Sequence, residues 1–291
     1  MQKNKFRSLI HFHFIVFIFG FTAILGSLIS VDSIELVWFR MTMALIVLFL
    51  YVFIFKKNIS VSRSLLLKLL ISGMIIALHW ITFFKAIKVS NVSITLSVLS
   101  LGAFITSILE PFFYNRKIIL YEVIFGLVVV IGISLIFNSQ TQYIEGIIYA
   151  LISVFLSVFF GLINGKLINK TSSLTISVYE LMGGVLLISL ILVFNNEINI
   201  DLFSLNSKDF FWLFILATFC TAYAFVVSVD VLKHLTPYST MISINMEPVY
   251  GIILATIFLN ESKDMSFNFY LGFILIISSI LLNGLFKLKE K

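Results

Sequence analysis

The sequence predicts an all-α integral membrane protein, with ten transmembrane helices in two inverted five-helix repeats. Three observations carry this. Of the 291 residues, 60% are hydrophobic and only 12% charged, with a mean hydropathy of +1.11; a soluble domain carries about twice that charged share. Apolar stretches of about 20 residues, the length needed to cross the hydrocarbon, recur ten times. The two halves of the chain also align with each other.

The stretches fall at roughly 10–30, 34–56, 64–86, 90–113, 119–138, 144–166, 173–194, 209–232, 237–259 and 267–287. Most of the breaks carry loop chemistry: VDS at 31–33, KKNISVSR at 56–63, NSQTQ at 138–142, NKTSS at 169–173, NNEINIDLFSLNSKD at 195–209 and NESKDMS at 260–266. The boundary between the third and fourth spans, Lys88–Asn91, is the least distinct. The first span is too long for a signal-peptide core and lacks a small-residue cleavage pattern, so it reads as mature structure.

Lys and Arg set the orientation. With the N-terminus inside, fifteen of the 20 fall in inside loops or tails, from Lys3, Lys5 and Arg7 to Lys287, Lys289 and Lys291. The outside loops hold Lys85, Lys88, Lys208 and Lys263, and Arg40 lies within a span. That bias predicts cytoplasmic termini in a cell (inner) membrane protein. The net charge of +6 is thereby a topological signal, and no nucleic-acid partner is expected. The expected partners are the lipid bilayer and a small-molecule substrate, with the chain a monomer or weak dimer. The single Cys220 supports neither an internal disulfide nor a metal framework, and no metal or cofactor is expected.

The repeat divides the chain near residue 140, into 1–140 and 141–291. ELVWFRMTMALIVL in the second span matches TISVYELMGGVLLI in the seventh, setting Arg40 opposite Glu180. FFKAIKVSNVS at 83–93 matches VSVDVLKHLTPYS at 227–239. LGAFITSILEPFFYNRK at 101–117 matches MEPVYGIILATIFLNES at 246–262, so Gly102 faces Glu247 and Arg116 faces Glu261. Five spans per half is an odd number, so the halves cross in opposite senses, as in secondary transporters. Opposite charges at 116 and 261 are expected to reflect the opposite compartments the two loops face.

These segments resemble the drug/metabolite transporter superfamily in its EamA-type branch. The carrying residues are ELVWFRM at 35–41, AIKVSNVS at 86–93 and the E-P…F-L-N-E pattern at 247–261. The resemblance covers nearly the whole chain and departs in the first half, where many members have Pro and Glu in place of Gly102–Ala103 and Arg116. It implies transport of small metabolites, often amino acids or related compounds, commonly outward.

The polar residues inside the spans are the candidate substrate-binding set: Arg40, His79, Trp80, Glu180, Tyr223, Asn245 and Glu247. A cation at mid-helix costs at least roughly 2.5–3.5 kcal/mol, so chains rarely keep one without a use. Arg40 either snorkels to the outer interface or faces a substrate path. His79 and Trp80 share its outer level. Glu180 and Tyr223 lie at a similar inner level, about 10 Å from Arg40 in height, so no Arg40–Glu180 ion pair is expected; each faces a central cavity from its own side. Glu247–Pro248 at mid-span, matched by Gly102, points to broken helices and a midplane site, with Asn245 beside the break. Glu180 or Glu247 is the expected proton carrier if transport is coupled. Glu110 and Asp230, near inner helix ends, read as anchors or gate residues.

Other classes fit poorly. GLINGK at 161–166 lacks P-loop spacing, His11, His13, His79 and His234 form no H-E-x-x-H, and no G-x-S-x-G is present. The alternative to a transporter is a membrane-embedded enzyme or receptor acting on a lipid or small molecule. It predicts one polar cluster on one side, where inverted halves predict two alternating gates.

Overall fold

The computed structural model describes residues 2–198, 201–263 and 265–289. Lys291, counted among the inside cations, lies outside them, as does position 264 in the 260–266 loop. All regular structure among the described residues is helical: α1 (Gln2–Leu28), α2 (Ser33–Ile54), α3 (Arg63–Val89), α4 (Val92–Leu99), α5 (Gly102–Tyr114), α6 (Leu120–Ser139), α7 (Ile144–Leu167), α8 (Ser173–Phe194), α9 (Ser207–Ala217), α10 (Ala224–Val231), α11 (Pro237–Ile244), α12 (Glu247–Leu259) and α13 (Phe267–Lys289), with four short turns of other helix types. Joining α4 to α5, α9 to α10 and α11 to α12 gives ten spans, five in each repeat.

The loop residues stop and start these helices as their chemistry requires. Asn91, Ser172, Asn206 and Thr236 each accept the backbone N–H of the third residue on, satisfying an otherwise orphaned donor. Asn91 thereby resolves the indistinct boundary: α3 stops at Val89 and α4 restarts at Val92. At the other end of the broken spans, Asn115 and Asn260 take left-handed conformations at φ 51° and 57°. They occupy matching places in the two repeats.

Both broken spans break where Gly102 and Pro248 predict. Ser100 and Leu101 bond to carbonyls three residues back, tightening the turn that ends α4. Met246 bonds to Ser243 in the same way at the end of α11, and Pro248 opens α12, where its missing N–H costs nothing. Asn245 Nδ2 donates to the Ser100 carbonyl at 3.2 Å, tying one break to the other. One break was not foreseen. Thr218–Tyr223 forms a π-helical segment between α9 and α10, although no Gly or Pro marks it.

Packing is tightest where small residues allow backbones to touch. A Cβ on Gly73 of α3 would overlap the Glu180 carbonyl of α8, and one on Gly183 would overlap the Leu70 carbonyl, so α3 and α8 are locked reciprocally. Gly132 and Gly272 make the same reciprocal contact between α6 and α13. α3 also packs along α7, α1 along α12, and α4 between α7 and α12. The loops 55–62, 115–119, 168–172 and 232–236 share one end of the bundle, the lysine-rich end.

Candidate functional site

A cavity of about 1060 Å³, mouth included, lies between the broken helices. Its lining reaches Leu232 and Pro237 in the loop region of the lysine-rich end. On the opposite side the outermost lining residues are Thr22, Arg40, Phe83 and Leu99, each about 10 Å inside its helix end at 1.5 Å per residue. The cavity is therefore offset toward the lysine-rich end.

Arg40 is 2% exposed. Its Nε donates to Thr221 Oγ1 at 2.6 Å and its Nη2 to the Cys220 carbonyl at 3.5 Å. Both partners sit in the π-helical segment, whose wider turn redirects Thr221 Oγ1 to the Leu216 carbonyl, five residues back. The guanidinium carbon lies 4.0 Å from the Trp80 ring centroid, a cation–π contact of about 0.5–2 kcal/mol. Arg40 Nη1 has no hydrogen-bond partner among the described residues.

His79 Nδ1 lies 2.9 Å from the Ser153 carbonyl and 2.8 Å from Ser153 Oγ, which fixes the ring at the cavity wall. Glu247, the first residue of α12, also lines the cavity. No hydrogen bond or ion pair to its carboxylate occurs among the described residues; it and Arg40 are near enough for their charges to interact, yet no ion pair joins them. Phe19, Phe83, Phe160 and Phe225 complete an aromatic wall; the last two stack at 5.6 Å and Trp80 meets Phe225 edge-on at 5.5 Å.

Of the seven residues expected at a path, four line this cavity: Arg40, His79, Trp80 and Glu247. Glu180 does not. It is fully buried among α3, α7 and α8, and its Oε1 accepts from Ser72 Oγ at 2.6 Å and Asn164 Nδ2 at 2.8 Å. The Gly73 and Gly183 contacts bring α3 close enough to seal it. Tyr223 is 42% exposed on the lipid-facing surface, where its hydroxyl meets His11 Nε2 at 2.6 Å; the π-segment that it ends changes the rotation a regular helix would give. Asn245 is spent on the Ser100 carbonyl, beside a smaller cavity between α5, α6, α11 and α13. Sequence reasoning missed Thr221, Phe160 and Phe225. A π-helical turn has no composition signal here, and two aromatics do not stand out among 32 Phe.

The two spans broken near Gly102 and Pro248 each start on a carboxylate from the other repeat. At the end opposite the lysine-rich one, Glu261 accepts from Val92 N at 3.0 Å, Ser93 N at 2.9 Å and Ser93 Oγ at 2.6 Å, capping α4. At the lysine-rich end, Glu110 accepts from Tyr238 N at 2.7 Å, capping α11. Pro237 precedes Tyr238 and has no N–H, so one backbone donor remains where α4 offers two. Arg116 holds Glu110 at 3.2 Å and Glu122 at 3.0 Å. The opposite charges at 116 and 261 thus have a different reason from the compartments they face: both residues are spent on buried partners, Glu261 as a helix cap and Arg116 as a clamp.

A bundle of ten apolar spans, with paired broken helices around an aromatic-walled cavity that holds Arg40 and Glu247, defines a multi-pass membrane transporter. The EamA-like transporter family model matches residues 8–138 and again 144–285; the chain belongs to that family, within the drug/metabolite transporter superfamily, whose members are transporters rather than enzymes. Among solved structures, 26 chains match this one. One of them, whose title reads only "Crystal structure of protein", superposes with a TM-score of 0.68 at 13% identity, over 94% of this chain and 96% of its own. A search of curated proteins returned no match.

Proposed function

We propose that the protein is a secondary transporter of the cell inner membrane, with both termini cytoplasmic. It moves a small metabolite, amino-acid-like or a related polar or aromatic compound, outward by alternating access between its two repeats. The observation that carries this reading is the cavity itself: it lies at two helix breaks placed alike in the repeats and holds Arg40 and Glu247 against aromatic walls. With the lysine-rich end in the cytoplasm, as the charge bias favours, this cavity loads from inside. No nucleotide motif is present in the sequence, so the drive is a gradient, the solute's own or a proton's.

Metabolite pools inside and outside overproducing cells identify the substrate, and flux in proteoliposomes then tests the drive. Flux proceeds without ATP; a requirement for ATP in the vesicle rejects the reading. A reporter fused to Lys291 is active only when cytoplasmic; a signal from the outside alone would reverse the topology.

A further inference from the structure

The smaller cavity, of about 260 Å³ with its mouth included, lies apart from the central one, between α5, α6, α11 and α13. Helical spacing builds it. Glu122, Gly126 and Val129 fall on one face of α6, and Ser279 and Asn283 on one face of α13. Asn245 closes it from the break between α11 and α12. The polar side chains around it offer oxygens, because their donors are already used. Asn245 Nδ2 goes to the Ser100 carbonyl, and no hydrogen bond to Asn245 Oδ1 occurs among the described residues. Asn283 Nδ2 goes to the Tyr238 hydroxyl at 2.6 Å, and its Oδ1 has no partner among them. Ser279 Oγ donates to the Phe125 carbonyl at 2.5 Å and keeps its lone pairs. The fourth group is the Glu122 carboxylate. All four side chains belong to residues no more than 5% exposed.

Buried acceptors without donors are costly, and buried charge is ordinarily paired. Here the charges do not balance. Glu110 and Glu122 share a single guanidinium, that of Arg116, and no other cation forms an ion pair with either among the described residues. One carboxylate charge is left over beside two amide oxygens that lack donors. An all-oxygen set of this kind suits a hard cation, and a single excess charge suits a monovalent one. We infer that the smaller cavity is a sodium site, with Asn245 Oδ1, Asn283 Oδ1, Ser279 Oγ and the Glu122 carboxylate as its ligands. Asn245 already ties the two helix breaks together, so the ion fastens both breaks to the α6–α13 pair and stabilises this arrangement of the bundle.

The melting temperature of the purified full chain is measured in sodium chloride and in N-methylglucamine chloride at equal ionic strength, and sodium binding is measured directly by equilibrium dialysis with the radioactive ion. Sodium is expected to raise the melting temperature of the native protein by about 2–4 °C in a saturable way, with a single ion bound per chain. Asn283→Ala should lose both the rise and the bound ion. Ser279→Ala, a milder change, should need more sodium for the same rise. Asn283→Asp, which keeps the oxygen and adds charge, should retain the rise at lower sodium; a merely structural Asn283 would shift the baseline in all three variants and leave the response to sodium intact. Equal melting of the native protein in the two salts overturns the inference and leaves the cavity to water. So does an unchanged sodium response in both Asn283→Ala and Ser279→Ala. The transporter reading stands apart from these outcomes, since it fails on metabolite pools and flux.

Discussion

Substituting Glu261 by Gln tests whether the cross-repeat cap is a gate. Glu261 belongs to the second repeat and stabilises the first helical turn of α4 in the first, through three bonds of 2.6 to 3.0 Å. A bond to a charged group contributes about 1.5–3 kcal/mol. Gln keeps one acceptor oxygen, but its amide nitrogen meets a donor, and its neutral group no longer complements the helix N-terminus. The loss is about 2–4 kcal/mol, suffered only while that end of the bundle is closed. An equilibrium between a closed and an open end then moves toward open about 30-fold or more. The chain's single cysteine provides the assay, because Cys220 lines the cavity. A membrane-impermeant maleimide applied from the side of the 260–266 loop should label Cys220 much faster in Glu261→Gln than in the native protein. A lower melting temperature with unchanged labelling from that side would refute the reasoning and make Glu261 a static cap.

Arg40→Lys keeps the charge beside Trp80 but loses the forked donor, so the protein should fold while flux falls about tenfold or more at matched membrane level; near-normal flux would assign Arg40 to anchoring alone. Glu180→Gln should retain near-normal flux, since the carboxyl is sealed among α3, α7 and α8 and absent from the cavity lining; collapsed flux with native melting behaviour would put Glu180 back on the path. Gly183→Ala drives a methyl into the Leu70 carbonyl and should cost about 1–3 kcal/mol of stability, read as a lower melting temperature; an unchanged melting temperature would mean that α3 and α8 slide apart freely.

The spans, their ends and two of the three helix breaks were legible in the sequence because each has local chemistry: apolar length, polar Ser, Asn and Thr in the loops, and Gly102 in the place that Glu247–Pro248 holds in the other repeat. Rotation about each helix axis was not legible. In water, polar residues mark the outer face of a helix; in a bilayer the lipid-facing side is as apolar as the packed side. Depth could therefore place Glu180 and Tyr223 at cavity level, while their directions, one sealed and one turned to lipid, followed from glycine contacts and a π-helical turn. Arg40, His79, Trp80 and Glu247 were found at the cavity because polar and aromatic groups at that depth mostly have no other outlet. Glu261 was misread as a loop charge since its partners, Val92 and Ser93, lie 169 and 168 residues away in the sequence, in the other repeat.

Glu110 and Glu261 perform one task from positions that do not align. The residue matching Glu261 is Arg116, and the residue matching Glu110 is Ala255. The two caps are paired in function without being paired in sequence. Each end of the bundle can consequently be tuned by mutation without a matching change at the other, three bonds holding one side and a single backbone bond with an arginine clamp holding the other. The two ends of the bundle are unequally fastened, and each fastening can be altered one residue at a time.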